Sequence, residues 1–260
     1  MSDAARSPKS LPRSTFHNAK KISSANLAST KAEAKNLKPR ARKERADAIA
    51  IRTQIKEAAE DLLIKHGLIK MTLAMVAERL QISRPTIHYY YSTKSRLAEA
   101  VLEDYVSRSI KMSQEIWLDP ENSIGAKFAA SLVWARRRYE RYSGTGTGDW
   151  SLFSRFYQEL ELMTPSMVAL MKSMAREQQS YYAAAINIAK ARQELSADTP
   201  ATELALQIVA MLHHVGWLTW ASGSFKSVET IYATTLECIE RAYGNSMEAS
   251  RTRQRGSARK

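Results

Sequence analysis

The segment TLAMVAERLQISRPTIHYYYSTKSRL, at residues 72–97, constrains the fold of this chain more than any other. Thr72 and Ser83 are good N-caps, because their side-chain oxygens can accept the free backbone N–H groups at a helix start. Apolar residues at helical spacing follow Thr72 and predict a short amphipathic helix. Pro85 suits the first turn of a second helix, where its missing N–H costs nothing. The segment therefore predicts a helix-turn-helix, whose second helix would enter the major groove of DNA N-terminus first.

The side chains of the second helix suit DNA contact. Arg84 can pair bidentately with a guanine edge, and Thr86 offers both a hydroxyl and a methyl group. His88 and Tyr89 are long enough to reach base edges or phosphates. Lys94 begins the next helix, where an ammonium group and free N–H groups together favour a phosphate.

The segment ISRPTIHYYYSTKSRL resembles the signature of the tetracycline-repressor (TetR) family, a short recognition helix followed by an aromatic cluster and a lysine. The upstream IKEAAEDLLIKHG is similar to the first helix of that family and its terminating glycine, so the resemblance covers residues 52–101. It implies an all-helical fold, with an N-terminal three-helix DNA-binding domain and a C-terminal helical ligand-binding and dimerisation domain. It also implies base contacts from Arg84, Pro85, Thr86 and His88 and phosphate contacts from Thr72, Tyr89, Tyr90 and Lys94, and the cap Ser83 completes the predicted DNA-binding set.

Two residues depart from the family pattern. Gln81 stands in the turn where the family usually has glycine, and a non-glycine residue in a left-handed conformation costs roughly 1 kcal/mol. His88 stands where a tyrosine is usual, which affects the expected operator sequence. The alternative for the tyrosine run is a role as core aromatics, which is the better interpretation for Tyr91.

Composition restricts the remaining classes of protein. The 260 residues allow two modest domains, and no apolar run approaches the roughly 20 residues of a membrane helix. The single cysteine, Cys238, excludes an intrachain disulfide, fits a reducing compartment and is predicted to be a small core residue. The net charge of +13 lies in the tails, since residues 1–50 carry twelve Lys and Arg against four acids and residues 241–260 carry six against one. Such arms either bind a polyanion or simply aid solubility.

The chain divides into four predicted parts. Residues 1–40 form a basic tail of low apolar content that is expected to be disordered, with a transit peptide as the alternative. Residues 41–112 form the DNA-binding domain, with the helix-turn-helix at 72–91. Residues 121–244 form the regulatory and dimerisation domain, with helices at about 124–142, 149–162, 164–192, 201–221 and 227–243. Residues 245–260 form a second basic tail.

The last two helices are apolar on more than one face, so each is predicted to bury a second surface. Two such helices from each protomer would form a four-helix interface with two-fold symmetry, the arrangement that the family resemblance implies. Ordinary packing within one chain is the alternative. The predicted dimer residues are Leu204, Ile208, Met211, Leu212, Val215, Ile231, Thr235 and Ile239.

Aromatic and methionine side chains are abundant in the predicted regulatory domain. They fit an apolar ligand pocket between helices, although a helical core needs the same residues. The family resemblance favours the pocket, since members generally release DNA when a small effector binds there. An elongated apolar effector is expected, with a polar end near Arg155, His213 or His214. The predicted lining residues are Trp134, Phe153, Phe156, Tyr157, Met167, Met171, Met174, Tyr181 and Trp217.

The sequence points to a regulator rather than an enzyme. HExxH, CxxC, P-loop and GxSxG motifs are missing, and the adjacent His213 and His214 point to different faces of a helix. Catalytic residues, metal ligands and cofactors are therefore not expected. The leading hypothesis is a cytoplasmic, nucleoid-associated homodimeric repressor that binds a palindromic operator on double-stranded DNA and responds to a small effector without membrane contact. The alternatives are an effector-independent architectural DNA-binding protein driven by its basic tails, and an enzyme or scaffold with a vestigial helix-turn-helix.

Overall fold

A computed structural model describes residues 39–142 and 150–245, with side chains from residue 43 onward. Nine α-helices make up almost all of this part of the chain, and it contains no strand. They are α1 (Pro39–Lys70), α2 (Leu73–Leu80), α3 (Arg84–Tyr90), α4 (Lys94–Trp117), α5 (Ile124–Tyr142), α6 (Leu152–Tyr157), α7 (Pro165–Ala191), α8 (Ala201–Ser222) and α9 (Lys226–Tyr243), with a 3-10 helix at Leu160–Leu162 after α6. The all-helical prediction is therefore confirmed.

The chain forms two compact units that divide between Thr53 and Gln54. Of the first unit, the structure describes the N-terminal part of α1, where the Thr53 hydroxyl donates to the carbonyl oxygen of Ile49 at 3.1 Å. All the helices from α2 to α9 belong to the second unit, together with the C-terminal part of α1. The predicted four-part division is a separate matter and stays a prediction, because both tails lie outside the described residues.

The C-terminal part of α1 carries the predicted buried stripe. Ile55, Ala59 and Leu63 are fully buried, which anchors this segment in the apolar core. Helical geometry breaks at Gly67, with φ 73° and ψ 177°, before one further turn to Lys70. The glycine predicted to stop the helix is thus the residue at which the backbone departs from it.

Helix boundaries differ from prediction where tertiary contacts decide them. α4 runs past Met112, where the predicted DNA-binding domain ends, and continues to Trp117, whose buried indole packs edge-on against Phe128 and Tyr182. Its end agrees with the disfavoured helical conformation of a residue before proline, here Asp119. The helix expected at 149–162 is split into α6 and the 3-10 helix. Its start is set by Ser151, whose hydroxyl accepts from the backbone N–H of Ser154 at 3.5 Å.

α7 follows the sequence prediction closely. Thr164 caps it by accepting from the N–H of Met167 at 3.2 Å, and Pro165 occupies its first turn. The predicted core role of Cys238 is wrong, because its side chain is exposed on α9. Helical spacing of apolar residues does not by itself show which face of α9 packs on α5 and α8.

α8 also corrects an expectation. Its 22 residues reach a mean hydropathy of 1.3 over an 18-residue window, long and apolar enough to cross a membrane by length and composition alone. A single helix of this kind is weak evidence for a membrane span, because core helices of soluble proteins pass the same test. Here α8 packs against α7 and α9, and 39% of that window is buried within the chain.

Candidate nucleic-acid interface and effector pockets

Short-range capping builds the helix-turn-helix. The Thr72 hydroxyl accepts from the N–H of Met75 at 3.2 Å and starts α2. Gln81 ends α2 in the left-handed conformation, with φ 55° and ψ 38°, so this chain adopts the turn without the glycine. Ser83 then accepts from the N–H of Thr86 at 3.3 Å and starts α3. The tight connection predicted from caps and proline is present.

α3 presents one face outward and buries the other. Ile87 is fully buried and fixes the helix on its neighbours. Arg84 and His88 are exposed, and Tyr89, at 83%, is the most exposed of the large hydrophobic side chains in the described residues. The Thr86 hydroxyl lies 2.8 Å from that of Ser83, so part of its bonding capacity serves the cap. This outward face combines long polar and aromatic groups, which suits the edges of bases in a groove.

The remaining predicted DNA contacts lie beside this face. Pro85, Ser83 and Thr72 are exposed, whereas Tyr90 and Tyr91 are half-buried. The rings of Tyr89 and Tyr90 meet edge-to-face, with centroids 5.1 Å apart. The roles of the predicted contact residues in DNA binding stay predictions, and Tyr91, expected to be a core aromatic, is only half-buried.

Lys94 has a structural partner that sequence reasoning did not foresee. Its ammonium group donates to the carbonyl oxygen of Leu68 at 2.6 Å and lies 3.3 Å from that of Ile69, at the end of α1. An ammonium group has three donors, so these bonds leave capacity for a phosphate oxygen. Lys94 therefore joins the end of α1 to the start of α4, and the predicted phosphate contact would add to that role.

An open apolar groove lies among α6, α7 and α8. Its volume is about 590 Å³, within the range of small-molecule sites. Trp217, Tyr157 and Met171 supply its apolar walls, and Lys172 and His214 are among its polar groups. We call this space the outer groove.

A smaller, more enclosed space lies among α4, α5, α7 and α8. Its volume is about 70 Å³, and it shares Phe153 and His213 with the outer groove. The two shared rings stack, with centroids 4.2 Å apart. Burial lowers the pKa of His213 to about 4, with a further contribution from His214. We call this space the inner cavity, and the neutral imidazole of His213 lies between it and the outer groove.

The structure sorts the nine predicted lining residues. The inner cavity is lined by Trp134, Phe153 and Met174, and the outer groove by Phe153, Tyr157, Met171 and Trp217. Phe156, Met167 and Tyr181 line neither space, and the first two are buried in the core. Of the three predicted polar groups, His213 and His214 line a pocket, whereas Arg155 is paired with Glu159 at 3.6 Å.

Sequence reasoning missed the polar groups of the inner cavity. Gln178 is buried, donates to the Ser113 hydroxyl at 2.9 Å and accepts from His213 Nε2 at 2.9 Å. Arg138 and Ser131 lie on the cavity side of α5. The available signal was the helical spacing that places both on the same face as buried Ala135.

The predicted dimer residues divide by burial. Leu204, Ile208, Val215 and Ile239 are buried within the chain, and Thr235 donates to Met211 Sδ at 3.3 Å within the α8–α9 pair. Leu212 and Ile231 are half-buried. An interface on α8 would instead use its exposed apolar side chains, which are Leu206, Trp217 and Trp220.

Polar contacts join α1 to the helices around these pockets. Glu60 pairs with Arg108 of α4 and lies 3.7 Å from Arg138 of α5. Asp61 accepts from the Tyr142 hydroxyl at 2.8 Å and from Arg141 at 3.0 Å. A third contact is a 2.6 Å bond from the N–H of Leu68 to Glu159, beside the outer groove. Within the described residues no cluster of His, Cys, Asp or Glu is arranged to hold a metal ion.

This geometry defines a helix-turn-helix followed by further packed helices, and comparisons with known proteins agree. Residues 55–101 match the family model for bacterial regulatory proteins of the tetR family. A relative described as "Probable HTH-type transcriptional regulator ArpR", from Pseudomonas putida, is 33% identical over 85 residues, covering 30% of this chain and 40% of that protein. The matched stretch thus spans less than half the length of that relative.

Solved structures extend the likeness over most of the described chain. The regulatory protein TetR from Rhodobacter sphaeroides has a TM-score of 0.62 at 16% identity, covering 74% of this chain and 97% of that one. The SmeT–triclosan complex has a TM-score of 0.57 at 16% identity, covering 76% and 93%. These likenesses show the fold. Residues 55–101 therefore carry the helix-turn-helix segment of the bacterial regulatory proteins of the tetR family.

Proposed function

We propose that this protein is a homodimeric transcriptional repressor that reads a palindromic operator on double-stranded DNA and is released by a small apolar effector. The observation that carries the proposal is the outward face of α3, where Arg84, His88 and Tyr89 are exposed beside a capped helix start. Arginine at a recognition-helix N-terminus is suited to a guanine edge. The proposed place of action is the cytoplasm, on the chromosome.

Dimerisation is supported by the surface of α8. Leu206, Trp217 and Trp220 are between 56% and 65% exposed, an unusual amount of apolar surface for one helix of a monomer. A second copy related by two-fold symmetry would bury that surface and place two recognition helices on half-sites about one helical turn apart. Sedimentation of the full chain tests this step: a dimer is expected, and Trp220→Glu should shift it toward monomer.

An effector site is supported by the outer groove and its position. Tyr157, Gln158 and Leu160 line the groove and flank Glu159, which accepts from the N–H of Leu68 at the end of α1. A ligand that separates α6 from α7 would therefore move Glu159 relative to α1. Release follows only if the ligand prefers the DNA-free conformation. The relative that is complexed with triclosan supports an apolar aromatic effector.

The DNA-binding test is selection of bound sequences from a random library at about 150 mM salt, where non-specific phosphate binding is weak. The full chain and a version lacking residues 1–38 are expected to enrich one shared palindrome. Arg84→Ala should relax one base position by roughly 1–3 kcal/mol. Arg137→Ala, an exposed arginine on α5, is the matched control and should leave the palindrome unchanged.

Other results would point elsewhere. Enrichment of no sequence, with affinity lost on deletion of residues 1–38, would mean that the basic arm binds DNA architecturally and that α3 does not read an operator. If Arg84→Ala keeps the same sequence preference, Arg84 does not contact a base. For the effector step, apolar aromatic candidates should raise the melting temperature and weaken operator binding together, and a candidate series that does neither contradicts it.

A further inference from the structure

One arginine of the inner cavity has an edge without hydrogen bonds, which faces the Glu60 carboxylate at 3.7 Å from Nη2. Nε and Nη2 of Arg138 are buried and form no hydrogen bond within the described part of the chain. These two nitrogens form one edge of the guanidinium group, the pair that binds both oxygens of a carboxylate in parallel. Ser131 Oγ, on the same face of α5, is also buried without a hydrogen bond there. Buried donors without acceptors cost free energy, so acceptor atoms placed beside these donors would bind favourably.

The charges around Arg138 point the same way. Two arginines share a single carboxylate, since Glu60 pairs closely with Arg108 and lies 3.7 Å from Arg138. The side chains of Glu60 and Arg138 are only 12% and 17% exposed, so solvent screens this group weakly. The trio carries a net positive charge, of which the Arg138 part is largely buried while Arg108 is 54% exposed. An anion beside Arg138 would neutralise it.

Aromatic side chains form the wall beside Arg138. The guanidinium carbon of Arg138 lies 5.0 Å from the ring centroid of Tyr105 and 5.3 Å from that of Trp134, within cation–π distance. Trp117 and Tyr182 line the same space. These surfaces suit a flat apolar body attached to an anionic group.

We infer that the inner cavity binds a small aryl carboxylate, with its carboxylate on the Nε–Nη2 edge of Arg138 and its ring against Trp134 and Tyr105. This inference rests on the proposed function and goes beyond it, because it adds a second ligand site, of a different chemical class, beside the outer groove. It differs from a purely apolar effector, because it assigns the binding preference to one charged group.

The same contact supplies a route to α3. Glu60 belongs to α1, the helix that leads into the helix-turn-helix, and Arg138 belongs to α5. A ligand carboxylate on Arg138 takes the place that Glu60 partly occupies across its 3.7 Å separation. Glu60 then keeps Arg108 of α4 as its partner and loses its attraction to α5. The ligand therefore favours a conformation in which α1 is less firmly held to α5.

Matched pairs of probes test the inference on the full-length dimeric protein. The acids are phenylacetate and 1-naphthaleneacetate, and the neutral partners are phenylacetamide and 1-naphthaleneacetamide, which have nearly the same shape. In calorimetric titration, the Kd of each acid should be at least roughly tenfold lower than the Kd of its amide, as expected for charge-assisted hydrogen bonds. Arg138→Gln should abolish that preference, and Arg137→Gln, on the neighbouring exposed position, should preserve it.

A second variant keeps the test decisive if Arg138→Gln fails to fold. Glu60→Gln removes the competing carboxylate, so it should tighten acid binding several-fold and leave amide binding unchanged. Equal binding of acid and amide, no binding of any probe, or an unchanged preference in Glu60→Gln would overturn the inference. Operator binding is measured without probe in the same preparations. Its loss would refute the proposed function alone, whereas intact operator binding without an acid preference would refute only the ligand class.

Discussion

Substitution of Gly67 by alanine should be among the most destabilising single changes in the second unit. Gly67 has φ 73° and ψ 177°, a backbone region that is essentially restricted to glycine. A Cβ built there would lie 2.3 Å from Glu159 Oε1 and 2.6 Å from an Arg155 nitrogen. The carboxylate of Glu159 would have to move, and its other oxygen accepts the 2.6 Å bond from the N–H of Leu68.

The cost has two parts. Forcing a non-glycine residue into this region costs about 1–3 kcal/mol. Breaking a hydrogen bond to a charged, largely buried group costs about 1.5–3 kcal/mol. Together they predict a loss of roughly 3–5 kcal/mol in the free energy of unfolding. Gly223→Ala is the matched control, since Gly223 also has positive φ, at 67°, but nothing lies within 4 Å of its added Cβ. It should cost only about 1–2 kcal/mol.

Urea unfolding followed by circular dichroism measures both variants. A second control, Gly125→Ala, places Cβ inside α5 with its nearest neighbour at 3.7 Å, and it should be neutral or stabilising by up to about 1 kcal/mol. If Gly67→Ala and Gly223→Ala cost the same, the clash with Glu159 and the loss of the Leu68 bond contribute nothing. The assigned contact between α1 and the segment before the 3-10 helix would then be wrong.

Three further predictions concern single side chains. Gln81→Gly should raise the free energy of unfolding by up to about 1 kcal/mol in urea titration, because it relieves a left-handed glutamine at φ 55°, and Gln81→Ala should not. Lys94→Met should weaken all DNA sequences about equally and also lower the melting temperature, since its ammonium group binds the Leu68 carbonyl, whereas a residue used only for phosphate contact would leave the melting temperature unchanged. Burial lowers the pKa of His213 from about 6.5 to about 4, so on acidification the unfolded chain takes up a proton at this histidine before the folded chain does. Between those two pH values the wild type should lose up to about 3 kcal/mol more of its free energy of unfolding than His213→Asn. Parallel pH profiles of the two proteins would contradict this.

Local rules predicted the DNA-binding part well because its elements are set by neighbours in sequence. The caps at Thr72 and Ser83 act over three residues, and Pro85 acts on its own turn. The stop at Gly67 likewise depends on the backbone of one residue. Such features can be identified from the sequence without knowledge of the tertiary fold.

Features that depend on two distant segments could not be predicted in this way. Helical spacing showed that α8 is apolar on several faces, but it did not show that Ile208 and Val215 pack inside the chain while Leu206 and Trp220 stay exposed. The sequence around Lys94 likewise contains no sign of a partner, because the carbonyl oxygen of Leu68 that it binds lies 26 residues away.

The chemistry of the contacts between α1 and the regulatory helices explains how one chain could switch without unfolding. The bonds at Glu60, Asp61 and Leu68 are polar, and water or a ligand can replace their partners. A typical hydrogen bond adds only about 0.5–1.5 kcal/mol net. Exchanging one or two of them matches the coupling energy of about 1–3 kcal/mol typical between allosteric sites. The apolar residues of α1, such as Ile55 and Leu63, are fully buried, so the proposed exchange of polar contacts would leave this part of the core in place.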